Sequence, residues 1–526
     1  MGTQFSRLTG VLPLAAGVVA FALPATASAG GVALRPIGTY ATGAFDQAAS
    51  EIVKYDERTQ RLFVVNAQAP GIEVLDIADP TAPTKVGFLD VSSLGGVANS
   101  VAVSKGILAV AIEGFTKTDP GVAAFFDTAT LALLGTAPTG AQPDMITFTP
   151  NGRFALTANE GEPSDDYTID PEGSVTFVEL AGRRVRRSVT ARFDAWIGQE
   201  AALRASGVRI YGPGANAAQD FEPEYIAFSQ DGRTAYVALQ ENNAIAVLDV
   251  DRRRFTEIRP LGFKDHSLAA NALDASDRDG GIVITTWPLF GMFQPDAIAS
   301  YKVNGRDYLV TANEGDSRDW AGLSESKRVK DLVLDPTAFP TGATLRKDAN
   351  LGRLNVTNQL GDVDGDLDFD ALYAFGGRSF SIWDDAGHLV FDSGDQLEQL
   401  IATLLPTEFN SDHAANQSLD SRSDNKGPEP EGLALGVVEG RTYAFLALER
   451  IGGVATFDVT DPAAPVLVDY VNPRDFAGVP GSGTAGDLGP EGVEFIPAAK
   501  SPTGAPLLAV ANEVSGTTTL YAIDET

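Results

Sequence analysis

Carboxylates recur in this sequence in a pattern that could hold a hard cation. Thr157-Ala-Asn-Glu-Gly-Glu162 and Thr311-Ala-Asn-Glu-Gly-Asp316 are near duplicates, and Val510-Ala-Asn-Glu513 is a third, partial copy. The duplication exceeds what strand pairing requires, and the glycine lets the backbone turn sharply enough to bring its carbonyls within reach of an ion. Two wider sets of acids share a spacing. Glu51, Asp144, Glu224, Asp296, Glu431 and Glu491 open short apolar runs, and Glu113, Glu160, Glu241, Glu314, Glu449 and Glu513 close the runs that follow. So many carboxylates gathered together repel one another unless cations or arginines neutralise them. Hard divalent cations suit all-oxygen ligands, Ca²⁺ foremost and another divalent metal second. The candidate ligands are Glu160, Glu162, Asp296, Glu314, Asp316, Glu431, Glu449, Glu491 and Glu513. The competing reading is that each acid caps a turn or bonds the backbone of a neighbouring repeat.

A further acidic stretch, Gly361-Asp-Val-Asp-Gly-Asp-Leu-Asp-Phe-Asp370, places Asp362, Asp364, Asp366 and Asp368 at alternate positions, as calcium loops do. It is not an EF-hand, because counting from Asp362 puts Leu367 at the glycine position and Tyr373 at the final glutamate position. A solvated acidic loop is the alternative. Arg318, Arg378, Arg422 and Arg450 stand beside these acids, with Lys426 near Arg422. Arginines converging on a carboxylate-bound metal are what a phosphate ester would require, whereas salt bridging within the acidic ring needs no ligand. Neither a Gly-x-Ser-x-Gly elbow nor a P-loop is found, so a metal-activated water is the expected nucleophile if chemistry occurs.

The elements that must position these acids are short strands. Glycine (54) and proline (30) are abundant, and apolar residues alternate in brief runs. One unit reads as an acid, often after proline, then a strand, a turn, a second strand and another acid. The clearest copies are Pro143-Asp144 to Glu160, turning at Asn151-Gly152, and Pro223-Glu224 to Glu241, turning at Asp231-Gly232. Both turns read as type I′ hairpins. Weaker copies open at Glu51, Ser100, Pro295, Pro430 and Pro490, which makes seven, and a third strand follows each pair. Four-stranded units repeated in this way predict an all-β, seven-bladed β-propeller of the WD40/YVTN type. The seventh third strand ends at Asp524, so the segment from Val32 to Tyr40 is expected to supply its outer strand and close the circle. Insertions are expected after Gly182, where Arg183-Arg184-Val-Arg186-Arg187 is basic, between Lys264 and Met292, and above all over about 317–426.

With 39 Lys and Arg against 70 Asp and Glu, the formal charge of -31 argues against nucleic-acid partners and anionic membranes. The chain has no cysteine and only His266, His388 and His413, so soft-metal sites are not expected. Residues 1–29 read as a secretory signal peptide, with Arg7, an apolar run and Ala27-Ser28-Ala29 before Gly30. The mature part, 30–526, is expected to be a single propeller domain, secreted or periplasmic and without a membrane anchor.

Several of these stretches resemble the choice-of-anchor I family, which includes mesenchyme-specific cell surface glycoproteins and bacterial proteins labelled alkaline phosphatase-like. The likeness rests on Ile72 to Ile77, Thr311 to Trp320, Leu372 to Trp383, Pro506 to Gly516 and, most specifically, Arg422-Ser-Asp-Asn-Lys-Gly-Pro-Glu-Pro-Glu-Gly432. The resemblance implies an extracytoplasmic seven-bladed propeller, association with calcium, a phosphatase role, and in animals a part in mineral deposition. The family usually has glycine where Leu367 stands. Two functions follow as expectations: a Ca²⁺-binding propeller that hydrolyses phosphate monoesters, or a non-catalytic protein that binds calcium, a mineral surface or another ligand. A quinone-dependent redox enzyme is a third, resting on fold class alone.

Overall fold

The computed structural model describes residues 31–526, so the leader read from residues 1–29 lies outside the described residues. The fold is all-β. Among the described residues there are seven four-stranded antiparallel sheets, one five-stranded sheet and one two-stranded sheet. The four-stranded sheets begin with the strands Val53–Asp56, Ala98–Ser104, Pro143–Phe148, Pro223–Phe228, Ile298–Val303, Pro430–Val438 and Pro490–Ile496, and are numbered 1 to 7 in that order. Each first strand contacts the next, and that of sheet 7 contacts that of sheet 1. Apolar cores lie between successive sheets. Phe63 and Val74 pack against Leu108 and Val110 between sheets 1 and 2, Leu156 and Phe177 against Val237 between 3 and 4, and Val53 and Leu75 against Leu507 and Leu520 between 7 and 1. This cyclic stacking of antiparallel sheets is a β-propeller.

Sheet 7 takes its outer strand from the start of the chain. Val32–Ala41 pairs antiparallel with Thr517–Glu525, with Val32 opposite Glu525 and Ala41 opposite Thr517. Among the described residues no helix is long and apolar enough to cross a membrane.

Two sequence expectations are corrected. The turns at 149–153 and 229–233 are not two-residue type I′ turns. Gly152 (φ 67°) and Gly232 (φ 68°) are left-handed while Asn151 and Asp231 are not, and each glycine N–H bonds back to Thr149 or Ser229. These longer loops need only one left-handed residue, and glycine takes it. The basic run after Gly182 is no insertion either. It forms the outer strand Arg184–Arg192, where Glu179 accepts from Arg153 and Arg187. The inserted segment follows it and packs Leu203, Ala217 and Phe221 onto the core between sheets 3 and 4.

The long insertion leaves sheet 5 after its second strand, Arg306–Asn313, and returns for its third, Ser379–Asp384. It builds a separate core from Val329, Leu351, Leu354 and Leu372, which pack with Leu273 of the segment before sheet 5, and supplies strands of the five-stranded sheet.

Candidate metal centre

The acids that open the first strands reach the axis because those strands bulge. Sheet register slips between Pro143 and Met145, Pro223 and Ile226, Pro430 and Leu433, and Pro490 and Val493. Asp144, Glu224, Glu431 and Glu491 therefore occupy the unpaired positions, where a bulge re-aims a side chain. Close packing of neighbouring bulges depends on the next residue. A Cβ on Gly432 would meet the Glu491 carbonyl oxygen at 1.8 Å, and one on Gly492 would meet that of Glu51 at 2.2 Å.

The result is a central cavity of about 240 Å³ lined by Asp144, Glu160, Glu224, Asp296, Glu431 and Glu491, with Lys54 its only basic lining residue. Lys54 is itself paired with Glu494 at 3.0 Å. Glu224, Glu431 and Glu491 each keep a buried Oε2 with no hydrogen-bond partner. Burial and then mutual repulsion push the Asp144 carboxyl up to about 7 and hold Glu224, Asp296, Glu431 and Glu491 well above the carboxylate range. Glu51, beside Glu513 and Asp144, is raised to about 8 for the same reasons.

Of the acids that close the second strands, Glu160 also lines this cavity. Four of them, Glu160 included, meet between sheets, in groups the sequence pattern does not reveal. Glu160 of sheet 3 and Glu241 of sheet 4 converge with Glu222, and Glu314 of sheet 5 and Glu449 of sheet 6 converge with Glu429. In each triad one oxygen from every residue lies within 4.8 Å of the others. Glu222 and Glu429 were missed as candidates, yet they hold the same place, immediately before the proline that opens a first strand. Gln142 and Gln294 hold that place in sheets 3 and 5. Gln142 (φ 46°), Gln294 (φ 43°) and Glu429 (φ 49°) are left-handed there, a strained state for a side-chain-bearing residue before proline. The recurring polar-Pro-acid triplet was the available signal.

The triads differ in their counter-charges. Lys426 Nζ bonds Glu314, lies 3.2 Å from Glu429 and donates to the Gly315 carbonyl at 2.6 Å. Arg422 and Arg450 also grip Glu429, and His413 and Arg450 grip Glu449 at 2.9 and 3.0 Å. Although burial opposes it, Lys426, Arg450 and Arg422 hold the Glu429 carboxyl below the usual range, and the His413 hydrogen bond and Arg450 do the same for Glu449. Among the described residues the one cation that pairs with a carboxylate of Glu160, Glu222 or Glu241 is Arg318, which bonds Glu222 at 2.8 Å and Asp220 at 2.7 Å, whereas Arg209 donates to the Glu241 carbonyl at 2.6 Å. Among the described residues neither Glu160 nor Glu241 has an ion-pair partner, and burial raises both, Glu241 to about 8.

The four arginines expected to clamp an anion are thus internal counter-ions. Arg318 is spent on Asp220 and Glu222. Arg378 is spent on Glu398 and on the carbonyls of Asp274, Ser423 and Asn425. Arg422 and Arg450 neutralise Glu429. A guanidinium withdrawn from water needs partners, and here carboxylates and carbonyls of the protein supply them. Glu162 pairs with Lys117 at 2.9 Å. Asp316 and Glu513 lie outside both triads. In the aspartate loop Asp362 and Asp364 meet Asp370, Asp368 meets Asp335 and Asp370, and Asp366 joins neither group. Leu367 takes the left-handed turn (φ 77°) that glycine would.

The choice-of-anchor I domain matches residues 51–462. The chain belongs to that family. The matched span holds both triads and most of the channel acids. Gigasin-3a of Magallana gigas is 32% identical over 191 residues, covering 34% of this chain and 67% of that protein. The mesenchyme-specific cell surface glycoprotein of Strongylocentrotus purpuratus is 31% identical over 273 residues, 45% of this chain and 35% of that protein. The choice-of-anchor I chain therefore spans about a third of the latter relative. Among solved structures, hydrazine synthase of Kuenenia stuttgartiensis aligns with TM-score 0.45 and 14% identity over 92% of this chain and 99% of its own. The Cps50 (Swd1) β-propeller domain of Myceliophteria thermophila aligns with TM-score 0.44 and 8% identity over 93% and 100%. Likenesses at that level carry no functional weight.

Proposed function

We propose that this chain is an extracellular, seven-bladed propeller, closed by its N-terminal strand, whose central channel binds divalent cations, Ca²⁺ foremost. The observation that carries the reading is the set of buried Glu224, Glu431 and Glu491 oxygens without partners, facing a cavity whose single lining cation is already paired. A carboxylate held this way is costly in the absence of a counter-ion. Carboxylate oxygens converging from several strands are the donor set a hard, flexible-geometry ion takes. The cell-surface relative supports the extracellular placement.

Between the non-catalytic reading and phosphate-ester hydrolysis, the arginines support the first, since Arg318, Arg378, Arg422 and Arg450 are committed to carboxylates of the chain. The partner class is then a cation, free or presented by a mineral surface. Elemental analysis of purified protein, followed by Ca²⁺ titration of chelator-treated protein, tests the proposal. Bound ion and a Ca²⁺-dependent rise in melting temperature, both reduced in Glu491→Gln, are expected. Unchanged Ca²⁺ uptake in Glu491→Gln and Glu431→Gln would sink the channel assignment. Turnover of an aryl phosphate that disappears in Glu314→Gln would reinstate the hydrolase.

A further inference from the structure

The two triads are copies of one constellation. Each joins the closing glutamate of one sheet (Glu160 or Glu314) to the closing glutamate of the next (Glu241 or Glu449) and to the glutamate before that sheet's proline (Glu222 or Glu429). In the copy between sheets 5 and 6 the Lys426 ammonium is held by Glu314, Glu429 and the Gly315 carbonyl. The chain itself shows a cation lodged among these oxygens. We infer that the copy between sheets 3 and 4 binds a Ca²⁺ ion through Glu160, Glu222 and Glu241, in the role that Lys426 fills between sheets 5 and 6. This site adjoins the channel proposed above, since Glu160 lines both, but Glu222 and Glu241 lie outside the cavity lining. It rests on that reading only for the class of ligand.

Two observations besides the clustering point to an ion. Glu241, 4% exposed, has a buried Oε2 without a partner. Gln142, 7% exposed, donates from Nε2 to Glu160 and Glu162 at 2.6 Å each, leaving its carbonyl Oε1 buried and unpartnered beside the triad. With Glu160 and Glu162 ionised, as a bound cation would keep them, the amide cannot usefully turn round, because its oxygen would then face two carboxylates. Oxygens within 4.8 Å of one another can share one Ca²⁺, whose bonds of about 2.3–2.6 Å span that separation across the ion. Three carboxylates, an amide carbonyl and water make a coordination number of six or more attainable. Arg318 reaches only Glu222 and so neutralises one of the three.

The test is equilibrium dialysis of chelator-treated full chain against Ca²⁺, with bound calcium counted per chain. Glu241→Gln and, independently, Glu160→Gln should each bind one ion fewer than the unsubstituted protein. Glu491→Gln, which alters only the channel, should keep that ion. Both triad variants are isosteric and remove repulsion, so their folding is checked by melting; Glu241, which does not line the cavity, is the deciding position. Unchanged stoichiometry in whichever triad variant folds overturns the inference even if Glu491→Gln loses its ion. Loss in the triad variants with no change in Glu491→Gln upholds it and removes the channel site instead. A chain that takes up no Ca²⁺ at all overturns both.

Discussion

Between sheets 5 and 6 three glutamates meet Lys426, Arg422, Arg450 and His413, whereas between sheets 3 and 4 three glutamates in equivalent positions meet Arg318 alone. The repeat is the same, and two carboxyl groups from each triad respond in opposite directions, while burial raises Glu314 to about 7 even beside Lys426. Glu429 and Glu449 are held as carboxylates, while Glu160 and Glu241 are pushed towards the protonated form. What a buried acid does is decided by the counter-charge that the fold brings to it, since burial penalises all of them alike.

The sharpest way to break the comparison is to remove the internal cation. Lys426→Met should cost about 3–5 kcal/mol in denaturant unfolding, because it strands the buried, ionised Glu429 and removes the cation bonded to Glu314. It should also convert that triad into a cation site, so that dialysis finds one more Ca²⁺ per chain than in the unsubstituted protein. Unchanged stability would show that Lys426 is not the counter-ion it resembles.

The second test is pH. Glu51 and Glu241 at about 8, with Asp144 and Glu314 at about 7, bind protons in the folded state that the unfolded chain has already released. The stability these groups contribute is present below their ordinary values and is lost as pH rises through the folded ones. Glu429 and Glu449 act oppositely, but only below the ordinary glutamate range. Chelator-treated protein should therefore melt at falling temperature from about pH 5 to about pH 8. Ca²⁺ at a hundred times its dissociation constant should restore about 2.7 kcal/mol per site. A melting temperature that climbs with pH in chelator would contradict the account.

Equivalent substitutions should then differ in sign. At pH 8 without metal, Glu241→Gln should stabilise by on the order of 1–2 kcal/mol, since it removes an unpaired buried charge. Glu449→Gln should destabilise by about 1–3 kcal/mol, since it breaks bonds to His413 and Arg450. Calorimetry on the pair reads this directly, and equal signs would erase the distinction. The smallest effect belongs to the aspartate loop. Asp364 is exposed, so Asp364→Asn should shift metal-free stability by no more than about 0.5 kcal/mol.

The strands and their acids were legible from short-range pattern. The alternation around Phe154 and Tyr236, and the acids at either end of each hairpin, mark elements that the structure reproduces nearly to the residue. The turn types misled, because Asn151-Gly152 and Asp231-Gly232 look alike in a two-residue hairpin and in a longer loop with one left-handed glycine. Glu222 and Glu429 were overlooked because they precede the strands and belong to no alternation. Arg318 and Arg378 could be read as anion clamps because proximity in sequence says nothing of Glu222, Asp220 and Glu398, which lie far along the chain and claim them.

The sequence by itself determined the repeat, the excess of negative charge and the places in the repeat where acids recur, since these depend on residue type and spacing. Only the tertiary structure decided which acids meet and which cations reach them. Bulges turn Asp144, Glu224, Glu431 and Glu491 to the axis, and the stacking of neighbouring sheets sets Glu160 against Glu241 and Glu314 against Glu449. The segment between sheets 5 and 6 carries Lys426 to one triad, while the carboxylates of the other pair only with Arg318. The charge state of a buried carboxylate depends on groups within a few ångströms, whatever their separation along the chain.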